Sequence, residues 1–390
     1  MNVERIRQEI PYYGNKIFLN NAGSSLSPNV VTKKIQAYLH QEELFGGYKL
    51  EEIQAPQIAA FYEQTAKLLN CKAENIAFAH DATDAYIKAL SSIAFKKGDV
   101  IITSSNDYAS NQIQFISLQN RYGVVLKRIA SLSNGDIYMA HFHKLLQEKK
   151  PALVAITHIP TNSGLIQDVA AIGEICHQQD ILYLVDACQS LGQIVVDVQK
   201  IKCDFLSATG RKFLRGPRGT GLLYVSDRVL QSPKAPLLID GWGAKWTDLN
   251  QFEMKSSAKR FETWERPYAL IIGLTEAIRY ANEIGMDLIE ERNTELQSHL
   301  RHNLSTLEGV TVYDKGSRLG NLITFKKADI SLEDLKEHLD DHNVFYSVST
   351  LEWGLIDFKE KGVEWVIRFS PHYFNTLAEM DRVTEILAAV

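Results

Sequence analysis

Four residues of this chain have types and spacings that suit one kind of chemistry. The stretch 181–225 reads ILYLVDACQSLGQIVVDVQKIKCDFLSATGRKFLRGPRGTGLLYV. In it an apolar run ends in Asp186 and Gln189 follows three residues on. A second apolar run ends in Ser207-Ala208-Thr209, and Lys212 stands between Gly210 and a Gly/Pro-rich loop. Far downstream, Arg368 closes the run Glu364-Trp365-Val366-Ile367. An aldehyde cofactor with a pyridine ring and a phosphate asks for such a set, a lysine to close a Schiff base and an acid to pair with the ring nitrogen. Asp186 follows the apolar ILYLV, where an isolated carboxylate is costly, and a protonated pyridine offsets that cost. A guanidinium fork at a strand end suits the carboxylate of an amino acid, with a structural salt bridge as the plainer reading of Arg368.

The elements that position these residues alternate. NIAFAH (75–80), DVIIT (99–103), PALVAITHIP (151–160) and the Ile181 run read as strands, and 83–95 and 165–179 read as helices between them. Such alternation predicts βαβ units and a mostly parallel sheet, with the ligand at the carboxyl ends of the strands. Each candidate polar residue falls at such an end. His80-Asp81-Ala82-Thr83-Asp84 sets a hydroxyl and free N–H groups at a helix N-terminus, which suits a phosphate or a simple helix cap. Tyr108 follows the 99–103 strand, and Thr161 and Asn162 form the turn after 151–160. Near the start, Asn20-Asn21-Ala22-Gly23 makes a tight turn before a helix that opens after Pro28. The glycines of Gly216-Pro217-Arg218-Gly219-Thr220-Gly221 precede a strand, whereas nucleotide loops run from strand into helix. His141 and His143 lack acidic or cysteine neighbours at metal spacing, so no metal site is expected.

From Leu19 to Thr376 the chain resembles the class V aminotransferase family of pyridoxal-phosphate enzymes, which includes cysteine desulfurases, kynureninase and isopenicillin N epimerase. The Asp186/Gln189/Lys212 set and the run Ile367-Arg368-Phe369-Ser370-Pro371-His372-Tyr373-Phe374-Asn375-Thr376 carry the likeness. The resemblance implies the α/β fold type I of such enzymes. A cofactor-binding large domain with a mostly parallel sheet flanked by helices is expected over 15–255, and a smaller α+β domain over 1–14 and 256–390. It implies pyridoxal 5'-phosphate held by Lys212 and Asp186 as catalytic residues, together with Gln189, Thr83, Asp84, Tyr108, Thr161, Asn162, Ser207, Thr209 and Arg211. Arg368, Asn21, Ala22 and Gly23 are expected beside the substrate, a small molecule of the amino-acid class, and a homodimer is expected by analogy.

The departures are informative. Tyr108 stands where desulfurases carry a stacking histidine; a phenol stacks as well but is a poorer proton carrier near neutral pH. Thr209 and Arg211 replace Ser and His, and Phe261-Glu262-Thr263-Trp264-Glu265-Arg266 replaces a segment that brings a threonine to the partner's phosphate. No cysteine follows Cys203, so the desulfurase thiol on the loop before Arg368 is missing, and persulfide transfer in its usual form is not expected. What remains is proton movement by Lys212 at the α-carbon. Transamination is the leading expectation, with β-elimination at a C–S bond or epimerisation as alternatives, and a cofactor-binding protein without turnover as the reading from another class.

Composition sets the outer bounds. With 390 residues, 45% of them hydrophobic, the chain has room for two packed domains. A net charge of -5 with scattered basic residues argues against nucleic acid as a partner. Four cysteines without short paired spacing suit reduced thiols. The charged start MNVERIRQEIPYYG and the lack of a long apolar run lead to the expectation of a cytoplasmic protein with no membrane partner.

Overall fold

Runs such as Leu153–Thr157 and Phe205–Thr209 are apolar without alternation, and every residue in them is buried, as strands covered on both faces must be. The computed structural model, which describes residues 1–11 and 13–390, places them in a seven-stranded sheet. In spatial order its strands are Ile76–Ala79, Gly221–Val225, Phe205–Thr209, Tyr183–Asp186, Leu153–Thr157, Val100–Ser104 and Val125–Ile129. All neighbours run parallel except Gly221–Val225, which is antiparallel to both of its own. Period-two alternation divides the side chains between two cores. Ile102, Val154, Ile156, Val185 and Leu206 face one layer of helices, and Ile101, Leu153, Ala155, Leu184 and Phe205 face the other.

A second body is built on a four-stranded antiparallel sheet in the order Val310–Val312, Ile323–Lys327, Trp365–Phe369, Ser347–Thr350. Leu296, Leu300 and Leu304 of the helix Met286–Thr306 and Met380, Val383 and Leu387 of Leu377–Ala388 close its core.

Two segments pack differently from the expected boundary at residue 255. Ala258 and Phe261 bury against the large sheet, and the helix Tyr268–Ile284 lies on Asn29–Phe45 and Gly47–Leu69, with Ile271, Leu274 and Ile278 in the large core. Conversely, Ile17–Phe18 pairs parallel with Val344–Phe345, and Ile17 and Leu19 belong to the small core. The polar stretch around Lys245 forms a hairpin, Ala244–Asp248 with Gln251–Met254. The helix expected from Leu165 starts at Val169, because the Asp168 side chain caps it by accepting from Ala171 N while Leu165 bridges to Leu319.

Candidate active site

The carboxyl ends of the parallel strands open onto a cleft of about 310 Å³. Its floor is Asp186, the last residue of Tyr183–Asp186 and 3% exposed. Both carboxylate oxygens accept N–H donors: Oδ1 from the Cys188 backbone at 2.9 Å, Oδ2 from Asn111 Nδ2 at 3.0 Å. Lys212 enters from the loop after Thr209. Burial is the first cause that holds its amine below the ordinary lysine range, and the Arg211 and Arg368 charges act in the same direction.

The lysine loop is held from behind. Arg215, at φ 61° and fully buried, donates from Nε to Leu26 O (2.8 Å) and from Nη1 to Tyr373 Oη (2.7 Å). His372 Nε2 lies 2.8 Å from Phe213 O, and burial pushes the basicity of its ring far down. Gly192, at φ 91°, lets this loop pass, since a Cβ there would meet Leu214 N at 2.5 Å.

At one end of the cleft lies the N-terminus of the helix Ala82–Ser91. Asp81, not Thr83, caps it, accepting from Asp84 N at 2.9 Å. Thr83 therefore lines the cleft alongside Thr209, Arg211 and Arg218. Gly221 permits the close approach of this turn, for a Cβ there would stand 2.7 Å from the Asp81 carbonyl carbon. Tyr108 lines the same cleft at the start of Ala109–Tyr122. Burial, then the neighbouring Arg218, lowers the Arg211 guanidinium, and its Nη1 donates to Gly23 O.

Across from these, Gln189 Nε2 donates to Thr161 Oγ1 (2.8 Å) and to Ala22 O (3.2 Å). Arg368 Nη1 donates to Thr161 O at 3.1 Å; burial, followed by Arg211, pushes its pKa down to about 10. Asn21 sits behind them, its Nδ2 donating to Ser370 O at 2.8 Å, and Ala22 N donates to Ser370 Oγ at 2.9 Å. Gly23 packs on Asn20. The turn at 21–23 thus ties the small body to the cleft wall.

Three expected site residues lie elsewhere. Asp84 turns away to accept from His80 N and Lys88 Nζ, as its place one turn before a lysine favours. Ser207 is wholly buried within its strand, in register with Asp186 and deeper than Thr209. Asn162 points its amide at Trp353 O (2.9 Å), joining the turn to the segment that precedes the Arg368 strand. Sequence reasoning missed Asn111, Asp107 and Thr157 beneath Asp186, and Cys188 and Arg218 in the lining. The spacing of Asn111, one helical turn after Tyr108, is the signal that could have found it.

Gln189 Oε1 and Arg368 Nε have no hydrogen-bond partner among the described residues, although both are buried. Buried polar atoms of this kind call for a ligand or water. The donor set fits pyridoxal phosphate: an acid for a ring nitrogen, a buried amine for the aldehyde, and hydroxyls with guanidinium groups at a helix N-terminus for the phosphate.

With that geometry in place, the chain belongs to the class V aminotransferase family, whose model matches residues 17–383. Its cofactor is pyridoxal phosphate. It is 26% identical to a Methanothermobacter thermautotrophicus protein named "Probable cysteine desulfurase", over 100% of this chain and 98% of that one. The apo cysteine desulfurase of Thermococcus onnurineus has the same fold at a TM-score of 0.90, with 26% identity over 99% of this chain and 97% of that chain. The cystine C–S lyase C-DES, solved with its product cysteine persulfide, matches in fold at a TM-score of 0.85 and 20% identity, over 97% of this chain and 99% of its own.

Proposed function

We propose that this enzyme is a pyridoxal-phosphate-dependent C–S lyase that breaks the Cβ–S bond of a cysteine-derived amino acid and releases the sulfur free. The expectation of transamination gives way to its lyase alternative because the relatives bear desulfurase and C–S lyase names. One observation carries the release of sulfur: the segment Ser347–Lys361, where the resemblance places a desulfurase thiol, holds no cysteine. Asn162 and Lys361 also hold that segment against the site through Trp353 O and Asn162 O.

When bound, the cofactor supplies an aldehyde that captures the substrate amine and a ring that accepts electrons freed at the α-carbon. Arg368 grips the carboxylate through its fork, and Thr161 O and Gln189 fix the wall beside it. Thr83, Thr209, Arg211 and Arg218 would hold the cofactor's phosphate, and Asp186 would pair with its ring nitrogen. The Lys212 amine, kept below its ordinary basicity by burial, takes the α-proton and returns one to the departing sulfur. Water then completes the balance, giving a keto acid, ammonium and a thiol or persulfide. Cys188 is no persulfide carrier in this scheme, since burial pushes its thiol well above the range in which thiolates form readily.

We also infer a homodimer, by analogy with the family. Leu237, Leu238, Trp246, Leu249 and Phe252 are exposed on the hairpin and the loop before it, Leu238 at 87%. An apolar surface of this kind suits a second copy, and sedimentation of a Leu238→Asp variant tests it.

Cysteine, cystine and cysteine conjugates are to be incubated with the loaded enzyme while keto acid, ammonia, sulfide, thiol and persulfide are measured. Equal yields of keto acid, ammonia and the released sulfur species are expected, sulfide from cysteine, persulfide from cystine and thiol from the conjugates. Keto acid without ammonia means transamination, racemised substrate means epimerisation, and no change with any amino acid favours binding without turnover.

A further inference from the structure

Beneath the Asp186 floor lies a second buried acid with no part in the chemistry above. Asp107 is 7% exposed, and burial pushes its carboxyl upward, with the Asp186 charge adding to the push. Between the two acids stands one amide. Asn111 Nδ2 lies 3.1 Å from Asp107 Oδ1, 3.0 Å from Asp186 Oδ2 and 3.3 Å from Thr157 Oγ1. An amide nitrogen has two hydrogens, so it serves two of these three acceptors. Thr157 donates its own hydroxyl to Asp107, which leaves the amide hydrogens to the two shorter, charged partners.

Asp107 is otherwise saturated. It accepts from Tyr108 N at 2.7 Å and from Gln112 Nε2 at 2.7 Å, and Gln112 in turn accepts from Arg128 Nε at 2.9 Å. The same carboxylate thus seats the backbone of Tyr108 at the cleft edge and the amide that reaches Asp186. The other titratable groups around the pair are Tyr86 from the helix Ala82–Ser91, and Lys212 and Cys188 on the cleft side.

We propose that Asn111 is a positioning residue of the active site: its amide, set between the carboxylates of Asp107 and Asp186, orients Asp186 toward the cleft and keeps the two acids apart. Two carboxylates this near would otherwise share a proton, and the acid offered to the ring nitrogen would lose its fixed charge and direction. The inference rests on the reading that Asp186 pairs with that nitrogen.

The test titrates pyridoxal phosphate, by absorbance and binding constant, onto the parent, Asn111→Leu, Asp107→Asn and the double variant from about pH 6 to about pH 9. Loss of a hydrogen bond to a charged group predicts binding about tenfold weaker in Asn111→Leu at the alkaline end. Relative to the parent, the deficit grows toward the acid end, where the unbridged pair takes up a proton. Asp107→Asn in the same chain removes the second acid and abolishes that growth. Asn111→Ser is read in the same way if the leucine variant does not fold. A deficit equal at every pH, or one that Asp107→Asn leaves unchanged, overturns the proposal in favour of a packing role. A parent that takes up no pyridoxal phosphate overturns both this inference and the site reading. A parent that binds it but cleaves no sulfur amino acid overturns only the proposed reaction.

Discussion

The floor of the cleft and its wall are built on opposite plans. At the floor, Asp186 and Asp107 have donors on every carboxylate oxygen, all supplied by the large body. At the wall, where the loop after Tyr183–Asp186 meets the small body, Gln189 Oε1 and Arg368 Nε are buried and unmatched among the described residues, as Ser207 Oγ is beside the floor. A finished floor suits an occupant that stays, since nothing needs to reorganise once it is bound. An unfinished wall suits a ligand that comes and goes and completes the bonding only while present. The two bodies thus divide the cleft: the large one alone anchors Asp186, and the small one brings Arg368.

Breaking the floor has the largest expected effects. Lys212→Ala lowers turnover by about 10³-fold or more and removes the borohydride-stable link to the cofactor, as mass spectrometry of the reduced protein checks. In the parent that link forms at a pH below the one free lysine requires, because a lowered amine pKa leaves more neutral amine at any given pH. Asp186→Asn weakens cofactor binding by about a hundredfold, measurable by equilibrium titration. Breaking the wall is milder and of another kind. Arg368→Lys raises KM by about tenfold or more while kcat changes by less than about threefold, because a single ammonium replaces the fork.

The smallest effect sharpens the comparison through pH. His158, buried next to the floor strand, has its pKa pushed down to about 3, first by burial and then by Arg318. The unfolded chain binds a proton near pH 6.5 that the folded one refuses, so stability is lost as pH falls from about 6.5 toward 3. His158→Gln is expected to flatten the acid limb of a melting-temperature profile.

The strand ends, the lysine loop and the Arg368 terminus were legible in the sequence because each follows a buried apolar run with a breaker behind it. Asp84 points away from the cleft for a reason visible in the sequence: Lys88 stands one turn after it, and Asp81, three residues before it, accepts from its backbone N–H. Ser207 misled because period two puts it on the same strand face as Thr209 but one step farther from the cleft. Asn111 and Asp107 escaped for a different reason. Their partner Asp186 is 75 residues downstream of Asn111, and a contact from a helix to the end of a distant strand is not written in the sequence around either residue; only the spacing of Asn111 from Tyr108 hinted at it. The boundary near 255 escaped because Tyr268–Ile284 carries an apolar face that either body could have covered.

The pairing of Ile17–Phe18 with Val344–Phe345 has a consequence for how the molecule comes into being. A ribosome delivers the first of these segments hundreds of residues before the second. The seven-stranded body can close while the leading segment still waits, and Arg368 reaches its station only after Val344–Phe345 has emerged to pair with that segment. During translation the emerging polypeptide therefore possesses the cradle for its vitamin before it possesses the hand for its amino acid.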